Sequence, residues 1–539
     1  MKRNITRLST TTFDLVVIGA GIYGAAISRV LARHGYLTAL IDKGDFCQAT
    51  SANSLKILHG GLRYLQHLNL KRMRESIVCR RELMQFSPHL VQPLSCLMPT
   101  RGRRTRSKAV MATAFALNDA ISYDRNAGLP TELHLPRGRI MSKHAFAAIL
   151  PELPPESATG AANWYDGLAE NTERMAIEHI LDAAEYGACP ANYVQAEEIL
   201  FNDNTVTGVL ATDRQTGKTL TIATRLVINA AGPWFTRLLQ QSGVPCPQVD
   251  WAKAINLVVK KQLHPKYAIG LESREEYQDK DAVFKRGKRL YFFVPWRGYT
   301  MIGTTYKPFH RPADEFSVEQ QDIDEILDEV NAIYPNYRLS PNDVTFVHSG
   351  LVPMSEAPTD TDDVQIEKNS QIIDHGQADG PSGLISVKGI KYTTAPHAAR
   401  ELLRMVRNRF SPSPTRQPAS KNDNVAEKNI IPDRLQKKYG RFADAVMPFI
   451  TKEDGDRPVC DGLDLTCGEV QYYIQEEMAL TLSDVILRRS DLGTAQCPDT
   501  KLLEALAAYM ARQLHWDNEE QNRQLDSVRT FYAPLSNND

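Results

Sequence analysis

Residues 13–43 constrain the fold more than any other stretch of the chain. Positions 13–18 form a short apolar run with β-branched residues, which predicts a buried parallel strand. A glycine-rich turn and the apolar face of a helix follow, and residues 38–41 predict a second strand that ends at Asp42. A strand, a glycine turn, a helix, a strand and a terminal acid in this order are typical of a Rossmann-like unit that binds a dinucleotide.

The turn carries Gly19, Gly21 and Gly24 in the spacing G-x-G-x-x-G. Gly19 permits a tight turn, Gly21 lets backbone N–H groups approach a pyrophosphate, and Gly24 permits close packing of the helix on the strand. The phosphates would lie at the helix N-terminus, where free amides and the helix dipole favour negative charge. Asp42 stands where a carboxylate accepts hydrogen bonds from an adenosine ribose. This fingerprint fits either FAD or a nicotinamide dinucleotide.

The composition is that of an ordinary globular protein. The 539 residues are 42% hydrophobic and 24% charged, enough for several domains or a large core with an appendage. A formal net charge of −1 excludes a globally basic nucleic-acid binder. The eight cysteines form no C-x-x-C pair, so we interpret them as reduced thiols of a cytoplasmic protein without a metal site. Residues 1–12 lack the apolar segment of a secretory signal, and no apolar run predicts a transmembrane helix.

The segment after Asp42 gives the chain a family resemblance. Residues 49–51 read Ala-Thr-Ser, and residues 56–65 read Lys-Ile-Leu-His-Gly-Gly-Leu-Arg-Tyr-Leu. Small hydroxyl residues, a cation, a histidine and paired glycines predict a loop that faces a ligand rather than a core segment. The run resembles the FAD-dependent glycerol-3-phosphate dehydrogenases of the aerobic type, which carry A-T-S and then K-L-I-H-G-G-L-R-Y-L after the first dinucleotide motif.

The resemblance extends over almost the whole chain. Residues 229–234 resemble the family's N-A-x-G-P-W, residues 302–305 match its I-G-T-T, and residues 389–394 resemble its G-G-K-L-T-T. Residues 487–493 resemble its C-terminal helical domain. FAD is favoured over a nicotinamide, because the glycine turn lies near the N-terminus and the two distant glycine segments supply what a large buried flavin needs.

The resemblance implies an α/β fold with three parts. These are a Rossmann-like FAD-binding domain of the D-amino-acid oxidase and glutathione reductase type, an antiparallel-sheet substrate domain, and a C-terminal helical domain with helical patterns at 467–487 and 500–514. The expected ranges are an oxidoreductase region at 1–410, with FAD-binding parts at about 12–100, 190–240 and 345–408 and cap parts at about 101–189 and 241–344, then a linker at 411–428 and the helical domain at 429–539.

The resemblance also implies site residues. Those expected to bind FAD are Gly19, Gly21, Gly24, Asp42, Thr50, Ser51, Lys56, His59, Gly60, Gly61, Ala231, Gly232, Trp234, Gly389, Lys391, Thr393 and Thr394. Those expected to take part in catalysis are His59, Arg63, Tyr64 and Lys391. Flavin carries the redox chemistry, so the protein must orient a substrate C–H and assist loss of the hydroxyl proton, which leaves more easily beside a cation or a base.

The catalytic candidates have alternatives. His59 fits a proton-transfer role and equally a buried histidine that satisfies backbone groups. Arg63 is suited to bidentate binding of a phosphate or carboxylate, which is the favoured interpretation. Lys391 can fix charge on the flavin, and Tyr64 fits packing as well as catalysis.

Three departures from the family fall in the substrate half of the chain. Val352 replaces the arginine of S-G-V-R-P, Asn256 replaces the histidine of K-G-S-H, and Tyr306 replaces the aspartate of G-T-T-D. Loss of one arginine from a charged-ligand site costs about 2–5 kcal/mol if the ligand stays the same. A changed substrate is therefore an open alternative.

The expected function is oxidation of sn-glycerol 3-phosphate, or a close analogue, to dihydroxyacetone phosphate by hydride transfer to flavin N5. The electrons would pass to a quinone or another acceptor. The implied partners are a small phosphorylated or anionic substrate and a second subunit in a homodimer, and no nucleic acid. The alternatives are an FAD-dependent oxidoreductase for another small polyol, hydroxy acid or amine, and a flavin-bearing binding protein without turnover.

Two charged stretches allow more than one interpretation. The helical pattern at 70–86 is interpreted as a solvated helix face. A basic cluster at 101–108 leads into the apolar run 109–117, and such a pair can rest on an anionic membrane surface. That contact would make the protein peripheral on the inner face of the cell membrane. A solvated loop before a core helix explains the same residues equally well.

Overall fold

The computed structural model describes residues 1–67, 69–102, 107–151, 158–278, 286–355, 364–412 and 431–536. The chain forms two compact units. The first unit comprises Met1–Ala52, Asn171–Trp251 and Glu367–Tyr532, and the second comprises Asn53–Glu170, Ala252–Ile366 and Ala533–Asp539. These units divide the chain at points other than the expected FAD-binding and cap ranges. Most of the expected linker at 411–428 lies outside the described residues.

The strands of the described residues are β1 Leu15–Ile18, β2 Thr38–Ile41, β3 Ile57–Leu58, β4 Val91–Thr100, β5 Arg139–Ser142, β6 Gly160–Ala169, β7 Cys189–Ala191, β8 Val194–Asn202, β9 Thr205–Asp213, β10 Lys218–Ala223, β11 Val227–Asn229, β12 Trp251–Val259, β13 Tyr267–Gln278, β14 Arg286–Trp296, β15 Tyr299–Phe309, β16 Val344–Pro353, β17 Gln371–Asp374 and β18 Leu384–Lys388.

The α-helices of the same residues are α1 Ile5–Thr10, α2 Ile22–Arg33, α3 Leu70–Phe86, α4 Lys108–Ile121, α5 Lys143–Ile149, α6 Thr172–Glu185, α7 Phe235–Gln241, α8 Gln320–Ile333, α9 Ala395–Arg407, α10 Asp433–Tyr439, α11 Ala443–Ile450, α12 Cys467–Glu477, α13 Leu482–Asp484, α14 Thr500–Leu514 and α15 Asn518–Ser536. A π-helical turn, Val485–Arg489, follows α13 directly.

The first unit is organised on a six-stranded sheet in the order β17-β18-β11-β1-β2-β7. Strands β18, β11, β1, β2 and β7 pair parallel, and β17 pairs antiparallel with β18 at the edge. Side chains alternate between the two faces, as a strand requires. Val17 belongs to the apolar cluster that includes α2 and α9 residues, whereas Val16 belongs to the cluster on the other side with α7. The central strands are therefore buried on both faces, as the apolar run at 13–18 predicts.

A three-stranded antiparallel sheet of β8, β9 and β10 belongs to the same unit. In the six-stranded sheet, the strand Thr38–Ile41 confirms the sequence prediction. The C-terminal helices α10 to α15 also lie mainly within this unit. The single helix expected at 467–487 is wrong, because α12 ends at Glu477. Met478 adopts a left-handed conformation with φ +56°, and Thr481 begins a new helix with a capping box.

The second unit is built on a large mixed sheet in the order β16-β12-β15-β14-β13-β4-β6-β3, with β5 also paired to β6. Strand β14 pairs antiparallel with β13 and β15, and β6 pairs antiparallel with β3, β4 and β5. Strands β4 and β13 join these two sets by parallel pairing. One face of this sheet is covered by α8 through Ile323, Ile326 and Val330. The expected α/β class with a mainly antiparallel substrate sheet and a helical C-terminal region is confirmed.

Helix α4 contains the apolar run that follows the basic cluster. Its side chains Met111 and Phe115 are buried, whereas Val110 and Leu117 are exposed, so one face of the helix packs in the protein and the other carries apolar side chains to the surface. Residues 103–106 of the basic cluster lie outside the described residues. Among the helices that the structure describes, none combines the length and the apolar composition needed to cross a bilayer.

Candidate functional site

Four loops of the first unit follow the carboxyl ends of adjacent parallel strands. Residues 19–24 follow β1, Asp42 follows β2, residues 230–234 follow β11, and residues 389–394 follow β18. Carboxyl ends of parallel strands meet at one edge of a sheet, which is where α/β proteins bind ligands. The structure therefore brings together the segments that the sequence singled out.

The three glycines of the first loop are required by close contacts. A Cβ at Gly24 would lie 1.8 Å from the carbonyl oxygen of Gly19, and one at Gly19 would lie 2.5 Å from that of Ala230. Gly19 also has φ +98°, a conformation that side chains disfavour. A Cβ at Gly21 would lie 2.8 Å from Ser51 Oγ, which accepts a hydrogen bond from Ile22 N at 3.0 Å. Helix α2 thus begins next to glycine residues without side chains, where a phosphate can approach its N-terminus.

Asp42 is held by the glycine turn itself. Its carboxylate accepts hydrogen bonds from Ala20 N at 2.6 Å and from Gly44 N at 2.9 Å. Desolvation raises the pKa of Asp42 to about 6, and these two backbone donors counteract part of that rise. Each carboxylate oxygen accepts one of these backbone hydrogen bonds, so a carboxylate with about four lone-pair sites keeps capacity for ligand hydroxyls.

Tyr23 connects the glycine turn to the segment after β18. Its hydroxyl lies 2.9 Å from Thr394 Oγ1, donates to the carbonyl of Lys391 at 3.0 Å and accepts from Ile390 N at 3.2 Å. A Cβ at Gly389 would lie 2.5 Å from the Tyr23 ring, which explains the glycine there. Burial raises the pKa of Tyr23, so the phenol stays protonated and able to donate.

The segment after β11 is ordered by Asn229. Its side-chain amide donates to the carbonyl of Phe235 at 2.9 Å, and its oxygen accepts from Ala231 N at 3.3 Å. Gly232 has φ +56° and open space around it. The Lys43 ammonium lies 3.9 Å from the centre of the Trp234 ring, so the loop after β2 contacts this segment through a cation–π interaction.

The remaining FAD candidates of the first unit differ in exposure. Ser51 and Thr50 are half-buried, Thr393 is buried, and Lys391 is exposed. Lys391 has an exposed side chain while its carbonyl accepts the Tyr23 hydroxyl.

In the second unit, Asp166 gathers donors around the matched histidine and glycine motif. Its Oδ1 accepts from Gly60 N at 2.6 Å and from Arg80 Nη1 at 2.5 Å. Its Oδ2 accepts from Trp164 Nε1 at 3.2 Å and lies 3.5 Å from His59 Nδ1. A Cβ at Gly60 would lie 2.3 Å from the Arg80 guanidinium, which accounts for that glycine.

This arrangement fixes the charge of Asp166 and the orientation of the His59 ring. Burial raises the pKa of Asp166, but the hydrogen bond with His59 and the charge of Arg80 outweigh it, so its pKa lies below the usual range. The carboxylate therefore stays ionised and orients the imidazole from Nδ1, leaving Nε2 for another partner. The His59 side chain is 49% exposed, which does not correspond to the alternative of a buried histidine.

The other candidates of this motif take different positions. Tyr64 packs in a buried apolar cluster with Met73 and Ile77, which corresponds to the packing alternative. Lys56 is buried, with its ammonium 5.6 Å from the centre of the Trp296 ring. Gly61 has φ +79°. The Arg63 side chain lies outside the described residues.

Arg80 and Asp166 are functional candidates that the sequence did not identify, and Tyr23 is a third. Helix α3 was expected to be solvated, but Met73, Ile77 and Arg80 are buried on one face. The signal in the sequence was the spacing of Met73, Ile77 and Arg80 at helical intervals, which marks a buried face. Asp166 had a weaker signal, a single acid in an apolar strand.

Asn256, one of the three departures, is satisfied within the sheet. Its side-chain oxygen accepts from Thr304 Oγ1 at 2.7 Å, and its amide donates to the carbonyls of Asn53 and His348, both at 3.4 Å. His348 is buried, with Nδ1 3.2 Å from Asn53 Oδ1. Asn256 thus joins β12, β15 and β16 at the place where the family resemblance has a histidine.

Tyr306 and Val352, the other two departures, lie together. Both pack against one apolar cluster formed by Ala252, Met354 and Val364. The family resemblance has an aspartate and an arginine at these two positions. In this chain both positions carry side chains that pack against the same apolar cluster.

The parallel sheet with its glycine turn defines the class of the protein as an α/β protein with a dinucleotide-binding turn. Comparison with known families is more specific. The profile described as FAD dependent oxidoreductase matches residues 14–405, and the profile described as C-terminal domain of alpha-glycerophosphate oxidase matches residues 413–521. The chain belongs to the FAD dependent oxidoreductase family, and FAD is its cofactor.

Individual relatives cover nearly all of the chain. A glycerol-3-phosphate dehydrogenase of Synechocystis is 29% identical over 98% of this chain and 98% of its own. An aerobic glycerol-3-phosphate dehydrogenase of Staphylococcus aureus is 28% identical over 90% of this chain and 87% of its own. The structure of a Bacillus halodurans glycerol-3-phosphate dehydrogenase complexed with FAD has the same fold, with a TM-score of 0.73, 23% identity, and coverage of 98% and 96%.

The first unit fits FAD by its own chemistry. The glycine turn lets a pyrophosphate approach the backbone without a Cβ in the way, and Asp42 offers a carboxylate at the end of β2. The residues that can hold the cofactor are therefore those of the loops after β1, β2, β11 and β18.

We expect Gly24→Ala to weaken FAD binding. The added methyl meets the Gly19 carbonyl at 1.8 Å, and overpacking of this kind costs about 1–3 kcal/mol, or about tenfold or more in affinity. The measurement is FAD affinity of apo-protein by quenching of flavin fluorescence. Gly217→Asn is the control, because Gly217 has φ +71° with open space, and asparagine tolerates that conformation. Unchanged affinity in Gly24→Ala contradicts the cradle.

We expect FAD affinity to rise with pH through about 6, the pKa of Asp42. Ribose hydroxyls donate to the ionised carboxylate, so binding favours the deprotonated form and is weakened where Asp42 binds a proton. Affinity should increase as the pH rises through that value and level off above it. Titrations of wild type and Asp42→Asn between about pH 5 and 8 test this. The variant should lose the slope, and a flat wild-type profile would refute the assignment.

Proposed function

We propose that the protein oxidises sn-glycerol 3-phosphate to dihydroxyacetone phosphate and passes the electrons to a quinone or another acceptor. The observation that carries the proposal is the contact of Asp166 and Arg80 with residues 59–60 of the segment that resembles the glycerol-3-phosphate dehydrogenases. The relationship to named dehydrogenases over nearly the whole chain supports the same reaction.

In this proposal His59 accepts the hydroxyl proton of the substrate at Nε2. Asp166 holds the ring from Nδ1 and stabilises the imidazolium that forms, and Arg80 keeps Asp166 ionised. The bound FAD would supply the two-electron acceptor for the C–H bond. Lys391 and Arg63 stay candidates for binding anionic groups, and Tyr64 has a packing role.

We expect anaerobic glycerol 3-phosphate to bleach the flavin absorbance of the wild-type protein. His59→Gln should slow this reduction about 100-fold or more with FAD content unchanged, since a general base contributes about that factor. Stopped-flow absorbance provides the rate. His34→Gln is the control, because His34 is exposed and its Nδ1 lies 2.7 Å from the carbonyl of Val30 in its own helix. Flavin that stays oxidised at saturating glycerol 3-phosphate contradicts the proposed substrate.

A second candidate function is FAD-dependent oxidation of a different small polyol, hydroxy acid or amine. The observation in its favour is the apolar contact of Tyr306 and Val352 with the same cluster. A site that has exchanged an arginine for valine loses the bidentate fork that matches phosphate or carboxylate groups.

If this second function holds, Val352→Arg should improve the apparent affinity for glycerol 3-phosphate by about tenfold or more, because a charged pair at a partly buried site contributes about 2–5 kcal/mol. Flavin reduction with glycerol 3-phosphate, glycerol, a 2-hydroxy acid and a primary amine measures the change. Val352→Met adds length without charge and should leave affinity unchanged. Efficient reduction of the wild type by glycerol 3-phosphate alone argues against this candidate. Bound FAD that no compound of the panel reduces would indicate a binding protein without turnover.

A further inference from the structure

The loop that follows β2 contains a second carboxylate, Asp45, which is completely buried. Its Oδ1 accepts from Asn192 Nδ2 at 2.9 Å and from Arg489 Nη2 at 2.8 Å. Its Oδ2 accepts from Arg489 Nη1 at 2.6 Å and from Arg488 Nε at 2.5 Å. Arg489 therefore binds Asp45 through both nitrogens of its fork, the geometry that best fixes a carboxylate.

Both arginines come from the C-terminal helices. They end the π-helical turn Val485–Arg489. Arg488 Nη2 donates to Asp484 Oδ1 at 2.7 Å, and Arg489 Nη2 donates to the carbonyl of Glu477 at 2.7 Å. Each guanidinium group is thus also bound by the last residue of a helix, Glu477 of α12 or Asp484 of α13. Residues 487–493, which resemble the C-terminal domain of the family, are not assigned a part in the proposed reaction. Their contact with Asp45 gives this segment a structural role instead.

The loop that carries Asp45 is tied to the cofactor cradle. Asp42 accepts from the Ala20 and Gly44 amides, and Cys47 N donates to the carbonyl of Ala20 at 3.1 Å. The connection between β7 and β8 also holds the loop, since Tyr193 N donates to the carbonyl of Gly44 at 2.9 Å. A displacement of Asp45 would therefore move Asp42 and the amide of Ala20, which lies inside the glycine turn.

We propose that Arg489, assisted by Arg488, is a positioning residue for FAD: the C-terminal helices hold the ribose and pyrophosphate end of the cofactor site in shape by clamping Asp45. Neither arginine is assigned a contact with the cofactor. The consequence is that the C-terminal region controls how long FAD stays bound, independently of which substrate is oxidised.

The test is the rate of FAD release from the holoenzyme. Arg489→Lys keeps the charge but loses the bidentate fork, and we expect release about tenfold faster, the effect of losing one charge-assisted hydrogen bond. Release is followed by recovery of free-flavin fluorescence after dilution, at a temperature where circular dichroism reports a fully folded chain. Unchanged release in Arg489→Lys overturns the proposal.

Glu469→Gln separates positioning from general loosening of the helices. Glu469 is buried near the start of α12, whereas Glu477 ends that helix. The Glu469 carboxylate accepts hydrogen bonds from Arg434 at 2.7 Å and from Lys438 at 2.8 Å. We expect both Glu469→Gln and Arg489→Lys to lower the melting temperature. In Glu469→Gln, however, the rate of FAD release should stay within about twofold of wild type. Equally fast release in both variants overturns the proposal.

Arg488→Lys keeps the test decisive if Arg489→Lys does not fold. It leaves the bidentate pair of Arg489 with Asp45 intact and removes the Arg488 guanidinium bonds to Asp45 Oδ2 and Asp484 Oδ1. We expect release about threefold faster, a smaller change than for the loss of the fork. Release at the wild-type rate in this variant also overturns the proposal.

Discussion

The parallel pairing of four neighbouring strands is the constraint on which the first unit depends. It delivers residues 19–24, Asp42, 230–234 and 389–394 to one edge, although they are far apart in the chain. The loops then approach so closely that side chains are excluded: a Cβ at Gly19 would reach the next loop. Gly19 is therefore required by the contact between loops and not by the turn alone.

The sequence predicts well whatever depends on neighbours along the chain. The strand, glycine turn and helix at 13–33, the β9–β10 hairpin and the strand Leu384–Lys388 all follow from local apolar patterns and turn residues. The family resemblance adds the cofactor. Partners across long distances escape such reasoning, because no pattern in residues 56–65 specifies that Asp166 and Arg80 meet there. The break at Met478 was missed for a related reason: a non-glycine residue in a left-handed conformation carries no clear sequence signal.

The departures from the family change chemistry without an evident defect in folding. Asn256 has its amide and its oxygen engaged by neighbouring strands, and Tyr306 and Val352 share an apolar cluster. Replacing a buried charged pair with packed uncharged side chains is often neutral for stability. The three departures are therefore compatible with the packing of the second unit.

Two carboxylates three positions apart in one loop illustrate how the cofactor site is built. The pKa of Asp42 is raised to about 6, since desolvation exceeds the effect of two backbone donors. The pKa of Asp45 is lowered, because Arg489 and Arg488 outweigh its burial. Environments that shift like groups in opposite directions assign them different roles. Asp45 has its acceptor sites occupied by guanidinium groups and an amide, so it serves the architecture, while Asp42 keeps lone pairs for a ligand. The buried ion pair contributes little net stability on general grounds, and its value lies in the geometry it imposes on the neighbouring carboxylate.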